Sequence, residues 1–401
     1  MKRKYLLLRI TLFILMICLG TVIALLADET TGLALNDLSD VPVKTLDGAT
    51  FEDTLYTTLA GNNRGIYRSD DYGRSWEKVT DGPEVPINTV EVHPTNSDTF
   101  FAGTAGGFNP DVGSLWYSNN RGETWQQYTL NLPTNPEGEL PAVTALSVDP
   151  NHPGVLYVGT AGQGLYRVQS GYAGYQRVGS SLADHLYIKD IVAEPNKPVY
   201  AISTEGLLVI EDNTWQQLDT LPDAPLSLAV DPSNPQLLYA GTVGYGIHRS
   251  IDGGQTWQAI NEGLGWQPGV ILRVPAIALD EDKPEHLAIA TAFSIGSQLV
   301  GDGIYESFDN GEHWTKIADE QEIVEHLTIE AGGIYAATDK GLKRYGNPLP
   351  VASPKLWLRT LFNPSEPQIL ILALTAALAI LVLLGRTDWL AKMQRKPIKN
   401  K

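Results

Sequence analysis

The interior of the chain is written in short apolar runs that recur in a fixed order. Alternating runs that end in an acidic-Pro or similar turn open several units, at 90–94 (VEVHP), 146–150 (LSVDP), 191–195 (IVAEP) and 228–232 (LAVDP). A second run follows in seven copies, at 55–61, 100–104, 156–160, 199–204, 238–242, 287–292 and 334–339. A third run, also in seven copies, occupies 65–69, 115–118, 164–168, 206–210, 246–250, 303–307 and 341–345. A fourth opens at Trp76, Trp125, Tyr175, Trp215, Trp257 and Trp314, six copies in all. The runs are short, rich in β-branched and aromatic residues, and separated by Gly, Pro, Asn and Asp, which are strand and turn signals without helical periodicity. Four strands per unit, with residues 44–346 giving seven units of about 43 residues, is the spacing of β-propeller blades. The expected fold is all-β, a seven-bladed propeller of four-stranded blades. The seventh unit lacks a fourth run after Tyr345. Segment 37–44 is expected to supply it and so close the ring, removing open sheet edges.

The turn between third and fourth runs is the most specific motif. It reads Ser69-x-Asp71-x-Gly73-x-x-Trp76, Ser118-x-Asn120-x-Gly122-x-x-Trp125, Ser250-x-Asp252-x-Gly254-x-x-Trp257 and Ser307-x-Asp309-x-Gly311-x-x-Trp314. The acidic or amide side chain can accept from turn amides, glycine can take positive φ, and the indole can anchor the turn. The motif resembles the Asp-box of sialidase-type (BNR) repeats, found in sialidases, xyloglucanases, sortilin and photosystem II assembly factors. The nearest overall resemblance is to the assembly/stability-factor group and, more loosely, to the sortilin propeller. It implies a propeller scaffold in which these turns are structural, and an assembly role for membrane complexes. Units three and four carry degraded turns, 168–175 and 210–215.

Both ends of the chain are apolar and flanked by basic residues. Residues 10–27 carry no charge and follow Lys2, Arg3, Lys4 and Arg9, which fits a membrane anchor or a signal peptide with a long apolar region. Residues 369–385 form a second apolar run, followed by Arg386, Trp389, Lys392, Arg395 and Lys396. Basic residues beyond each run place both termini in the cytoplasm and the middle outside the cytoplasmic membrane. The expected organisation is an N-terminal basic end and transmembrane anchor over 1–27 and a propeller over 37–347. A linker over 348–367 includes an amphipathic stretch at 354–362, read as interfacial. A transmembrane helix over 368–386 and a basic tail over 387–401 complete the chain.

Charge sharpens this picture. The formal net charge is −17, yet the ends carry +4 and +5, so the body between them stands at −26. An acidic body argues against nucleic-acid binding, which needs a basic footprint. The single cysteine, Cys18, allows no internal disulfide, and the seven histidines form no ligand-spaced pair. No metal site and no cofactor is expected.

Alternating strands put the second-to-third loops and the blade-to-blade loops on one face, opposite the Ser-x-Asp turns. Four connections on that face exceed the usual length: 106–113, 131–141, 262–273 and 293–303. They should cluster at blades 2–3 and 5–6. Long loops on a rigid scaffold are where binding lives. The candidate side chains are Trp266, Arg273, Phe108, Asp111, Phe293 and Asp302. A sialidase would need an arginine triad over the axis. Arg68, Arg167 and Arg249 instead recur within the third run, with Arg344 one place further on, and only Arg273 is near the loop face. The expected function is a non-catalytic, membrane-anchored scaffold for a protein partner. The alternatives are a glycan-binding module, or a sialidase- or glycosidase-like hydrolase with two carboxylates about 5–10 Å apart on the loop face.

Overall fold

The computed structural model describes residues 42–346 except 50–53, 60–64, 70–71, 74–75, 81, 83–84, 97, 108–114, 129–131, 135–137, 170–173, 180–184, 212, 266–270, 296–297 and 331. These residues belong to one compact unit, Met1–Leu349. Both expected spans, segment 354–362 and the basic tail lie outside the described residues. Among those described, no helix is long and apolar enough to cross a membrane.

Seven antiparallel sheets form in chain order. Blade 1 is β1 (Val43–Ala49), β2 (Thr54–Leu59), β3 (Gly65–Ser69) and β4 (Glu77–Thr80); blade 2 is β5 (Ile87–Val92), β6 (Phe100–Thr104), β7 (Leu115–Ser118) and β8 (Gln126–Gln127). Blade 3 is β9 (Val143–Val148), β10 (Val155–Thr160), β11 (Leu165–Gln169) and β12 (Tyr175–Val178); blade 4 is β13 (Ile188–Val192), β14 (Val199–Ser203), β15 (Gly206–Glu211) and β16 (Thr214–Leu218). Blade 5 is β17 (Pro225–Val230), β18 (Leu238–Thr242), β19 (Ile247–Ser250) and β20 (Gln258–Ala259); blade 6 is β21 (Leu272–Leu279), β22 (Leu287–Ile295), β23 (Gln298–Ser307) and β24 (Thr315–Asp319). Blade 7 has β25 (Val324–Glu330), β26 (Gly333–Thr338) and β27 (Gly341–Gly346), three strands among the described residues. First strands of neighbouring blades touch all the way round, so they line the axis.

The core is divided accordingly. Seven apolar clusters occupy the seven junctions between blades, from Tyr56–Phe100 at blades 1–2 to Leu46–Tyr335 at blades 7–1. Second strands are covered on both faces, so β6, β10, β14, β18 and β26 are buried at every position.

Of segment 37–44, expected to close the ring, residues 37–41 lie outside the described residues, and Val43 and Lys44 lie in β1, which pairs with β2 as the first strand of blade 1. Among the described residues, blades 7 and 1 meet through side chains. Val43, Leu46, Leu55 and Leu59 pack against Tyr335, Ala337 and Leu342. The Tyr335 hydroxyl donates to the Tyr72 carbonyl and accepts from Arg344 Nε at 3.1 Å.

Candidate functional site

The Ser-x-Asp turns are self-contained. In blade 5, the Gly254 amide donates to Ser250 Oγ at 2.8 Å, and Ser250 Oγ donates to Asp252 at 2.8 Å. The Thr256 amide and hydroxyl donate to the same carboxylate at 2.9 and 2.6 Å, and Trp257 Nε1 donates to the Gly254 carbonyl at 3.1 Å. The Ser307–Trp314 turn repeats the serine and aspartate bonds through Gly311, Asp309 and His313, and Ser118–Trp125 does so through Gly122 and Asn120. In the first turn the Gly73 amide donates to Ser69 Oγ at 2.7 Å and Trp76 to the Gly73 carbonyl, while Asp71 lies outside the described residues. All four glycines have φ between 76° and 88°, which a side chain would strain. Asp252 and Asp309 are held down to about 2, chiefly by side-chain hydrogen bonds from Thr256 and His313. Their lone pairs are spent locally, and the turns hold the fold.

On the opposite face the long connections do meet. Gly107 and Leu140 exchange backbone bonds at 3.1 and 2.9 Å, which ties the second-to-third loop of blade 2 to the blade 2–3 connection. In blade 5, Tyr245 bridges to Leu272. The stretch 293–303 is not a loop: β22 and β23 stay paired out to Ile295 and Gln298, so blade 6 carries a projecting hairpin. Near its root, Ile271 and Tyr245 stand 49% and 55% exposed, with Leu299 on the hairpin at 41%. Tyr187 is a further exposed aromatic on this face, two residues before Lys189 in the chain.

Every first strand breaks register near its loop-face end. The shifts fall at Lys44, Asn88, Thr144, Lys189, Leu226, 274–275 and Glu325. A bulge re-aims side chains beside functional sites. Here three of the bulged residues reach across to the next blade: Asn88 Nδ2 to the Val143 carbonyl at 3.1 Å, Thr144 Oγ1 to Ile188 at 2.5 Å, and Lys189 Nζ to Leu226. Lys189, Arg273, Glu325, Asp190 and His326 thereby form an axial group of charges at the mouth of the ring. Burial lowers the Lys189 ammonium, with Asp190 and Glu325 opposing and Arg273 assisting. Burial raises Asp190, against the pull of His326 and Lys189. Arg273 Nε is buried without a hydrogen-bond partner among the described residues.

The predicted side chains separate. Arg273 belongs to β21 and the axial group, not to a loop. Phe293 is half-buried against the blade 5–6 core. Asp302 accepts from Tyr305 at 2.7 Å, Thr291 at 2.9 Å and Lys316 at 2.9 Å, so its pKa falls despite burial and it is a buttress of blade 6. Trp266, Phe108 and Asp111 lie outside the described residues. The pairing of Tyr335 with Arg344 matches that of Tyr239 with Arg249, so Arg344 occupies the common arginine position and is not displaced. Arg249 spends its guanidinium on the Asn310 carbonyl and Glu312 of the next blade, at 3.0 and 2.7 Å.

A carboxylate pair does exist on this face. Glu320 and Glu322 bracket Lys343 at 2.9 and 2.8 Å, Lys340 adds 3.1 Å to Glu322, and Tyr345 donates to Glu320. Burial would raise Glu322, but Lys343 and Lys340 bring it below the ordinary carboxylate range. Neutralised in this way, Glu322 lacks the raised pKa of a general acid. Among the described residues, no cluster of three or more His, Cys, Asp or Glu side chains could hold a metal ion. The axial group is hidden in the sequence because Lys189 and Glu325 stand where the run's alternation slips, and Asp190, His326 and Arg273 stand immediately beside such a slip.

Residues 64–170 match the family described as "Sortilin, neurotensin receptor 3". The xyloglucanase Xgh74A of Acetivibrio thermocellus is 26% identical over 215 residues, 49% of this chain. That match spans only 23% of the relative's own length. The chain resembles the Asp-box propeller group. Among solved structures, the Xanthomonas campestris xyloglucanase superposes with a TM-score of 0.58 at 18% identity, over 80% of this chain and 54% of that one. The structure of YCF48 bound to D1 peptide gives 0.54 at 15% identity, over 77% and 94%. At these identities the superpositions establish the propeller fold shared by enzymes and a peptide-binding protein.

Proposed function

We propose that this chain is a non-catalytic, membrane-anchored extracytoplasmic scaffold whose loop face at blades 5 and 6 binds a segment of a partner protein. The observation that carries the reading is the exposed apolar rim of Tyr245, Ile271 and Leu299 beside Arg273. An apolar anchor next to a cation is the composition of a protein-recognition surface. The neutralised carboxylates at Asp302 and Glu322 support a binding role, and the likeness to a propeller solved with a peptide is consistent with it. The test is mild affinity purification from detergent with mass spectrometry, comparing the native chain with a Tyr245→Ser/Leu299→Ser double variant. A membrane-protein partner lost only from the variant supports the scaffold. No partner in either sample sinks it.

A second reading, glycan hydrolysis, rests on Asp190. A carboxyl whose pKa is raised by burial in the axial mouth suits a general acid. Turnover of xyloglucan oligosaccharides that disappears in Asp190→Asn would favour it over the scaffold.

A further inference from the structure

Blade 6 departs from its neighbours at one buried position. Its third strand carries Glu306, opposite Ala288, where blades 5 and 7 carry Arg249 and Arg344 opposite Tyr239 and Tyr335. The charge is reversed, and a cation comes instead from His286, the buried residue just before β22. His286 Nδ1 lies 2.9 Å from Asp280 Oδ2, and Nε2 lies 2.6 Å from Glu306 Oε1. The other Asp280 oxygen accepts from the Asp282 and Lys283 amides at 3.1 and 3.2 Å. The backbone bond that closes this turn runs from the Asp280 amide to the His286 carbonyl. Its counterparts in blades 2, 3 and 5 end on Thr99, Val155 and Leu237, none of them ionisable.

An ionised carboxylate only accepts, and a neutral imidazole has one N–H to give. Two such carboxylates on the two ring nitrogens are both satisfied only by the imidazolium. Burial opposes that charge, but the hydrogen bonds to Glu306 and Asp280 outweigh it and raise the His286 pKa. Those two carboxylates are the charges that act on the ring. Glu281, Asp282, Lys283 and Glu285 flank it on its own turn. Charged groups on the surrounding elements are held elsewhere. Asp309 holds His313, Arg249 of blade 5 is spent on Asn310 and Glu312, and Lys316 of β24 is bound to Asp302 and Asp319. Blade 7 turns apolar residues to this joint, with Tyr345 and Lys343 both bound to Glu320.

The ring also supports the Ser307–Trp314 turn. Phe308 stacks on it, with centroids 4.5 Å apart and planes at 10°. The adjacent Glu285 carbonyl accepts from the Asn310 amide at 3.2 Å. This turn fastens blade 6 to blade 5, through Trp314 Nε1 on the Ile260 carbonyl at 2.8 Å and Arg249 on the Asn310 carbonyl.

Where blade 5 has a permanent cation, blade 6 has one that can be removed. We propose that Asp280, His286 and Glu306 form a pH-sensitive latch: while the imidazole carries its proton it ties the first-to-second turn of blade 6 to β23 and seats the Ser307–Trp314 turn, and loss of that proton frees Glu306 and loosens the turn from blade 5. The latch is independent of what the loop face binds. Its contribution to stability is complete below pH 6.5, the ordinary value of the ring, and is lost as pH rises through the raised value in the fold.

The test is hydrogen exchange by mass spectrometry on the detergent-solubilised full chain carrying His313→Thr. That change removes the other titratable pair of this turn and installs the residue that blade 5 has at Thr256. After correction for intrinsic exchange, protection of residues 307–314 should fall at least about tenfold from about pH 6 to about pH 9, the loss expected for one hydrogen bond between charged groups. Residues 250–257, the same turn without a histidine beneath it, should stay level. His286→Gln should abolish the step, and the milder Glu306→Gln should move it to lower pH. Nitrogen NMR of the histidine-labelled chain should show the His286 ring doubly protonated at neutral pH. No step, an equal step in 250–257, a step that survives His286→Gln or is unmoved by Glu306→Gln, or a neutral ring at neutral pH would each overturn the proposal.

Discussion

Single hydroxyls and carboxyls at the ends of strands carry much of the specification. In four blades a Thr or Ser closes the second strand by donating to the turn beyond it: Thr160 to Gly164, Ser203 to Gly206, Thr242 to Gly246 and Thr338 to Gly341, all within 3.0 Å. Removing Ser250 Oγ would strip the buried Gly254 amide of its acceptor, so Ser250→Ala should cost about 1–3 kcal/mol by urea denaturation. Glu194 stands where other units place an aspartate or histidine before proline, and burial lifts it to about 7, with Lys197 opposing and Glu281 assisting. The folded state then holds this proton more tightly than the unfolded chain, whose glutamate titrates near 4.5. The contribution is complete below pH 4.5 and is lost as pH rises through about 7, by up to about 3 kcal/mol. Denaturation midpoints should therefore drop between pH 5 and 8, and Glu194→Gln should flatten that drop. An equal slope in the variant would remove Glu194 as its source.

At the scale of elements, the projecting β22–β23 hairpin is separable from the blade it extends. Residues 293–300 pair with one another beyond the four-stranded part of blade 6, so replacing 294–299 by a two-residue Asn-Gly turn should leave the melting temperature within about 3 °C. The same change should eliminate partner capture, since it removes Leu299. The blades themselves were legible in the sequence because period-two apolar runs and the Ser-x-Asp-x-Gly turn repeat with little variation. Strand β1 was not, because VKTLDGA lacks both the apolar alternation and the acidic-Pro ending of its counterparts. The axial charges were hidden for a related reason. A bulge adds one residue to a strand without a mark in composition, and only the pairing reveals that Lys189 and Glu325 stand at equivalent places. The hairpin reads as a loop in the sequence because Gly296, Gly301 and Gly303 punctuate a segment whose length alone is conspicuous.

Taken whole, the molecule is a ring of seven similar joints of which six are also linked through the backbone. Among the described residues, the joint between blades 7 and 1 depends on the Leu46–Tyr335 cluster and the Tyr335 hydroxyl. Opening it exposes two apolar faces without breaking any strand ladder among those residues, so native-state hydrogen exchange should show β1 and β25–β27 as the first strands to lose protection. Tyr335→Ala should lower the melting temperature more than Tyr239→Ala, although the two tyrosines occupy equivalent places. Equal losses would mean that the seam is no weaker than the backbone-linked joints.

The cross-strand tyrosine–arginine pair described at Tyr239 and Arg249 has a parity. It recurs at Tyr56–Arg68, Tyr157–Arg167 and Tyr335–Arg344, in blades 1, 3, 5 and 7. Between them stand Phe101–Tyr117, Tyr200–Val209 and Ala288–Glu306. An alternation of period two cannot close on an odd circle, and one pair of like neighbours must fall side by side. Here that mismatch falls between blades 7 and 1, at the seam, where the Tyr335 hydroxyl reaches the Tyr72 carbonyl of blade 1 as Arg249 reaches Asn310 and Glu312 of blade 6. A ring of six or eight such units would close its alternation without fault.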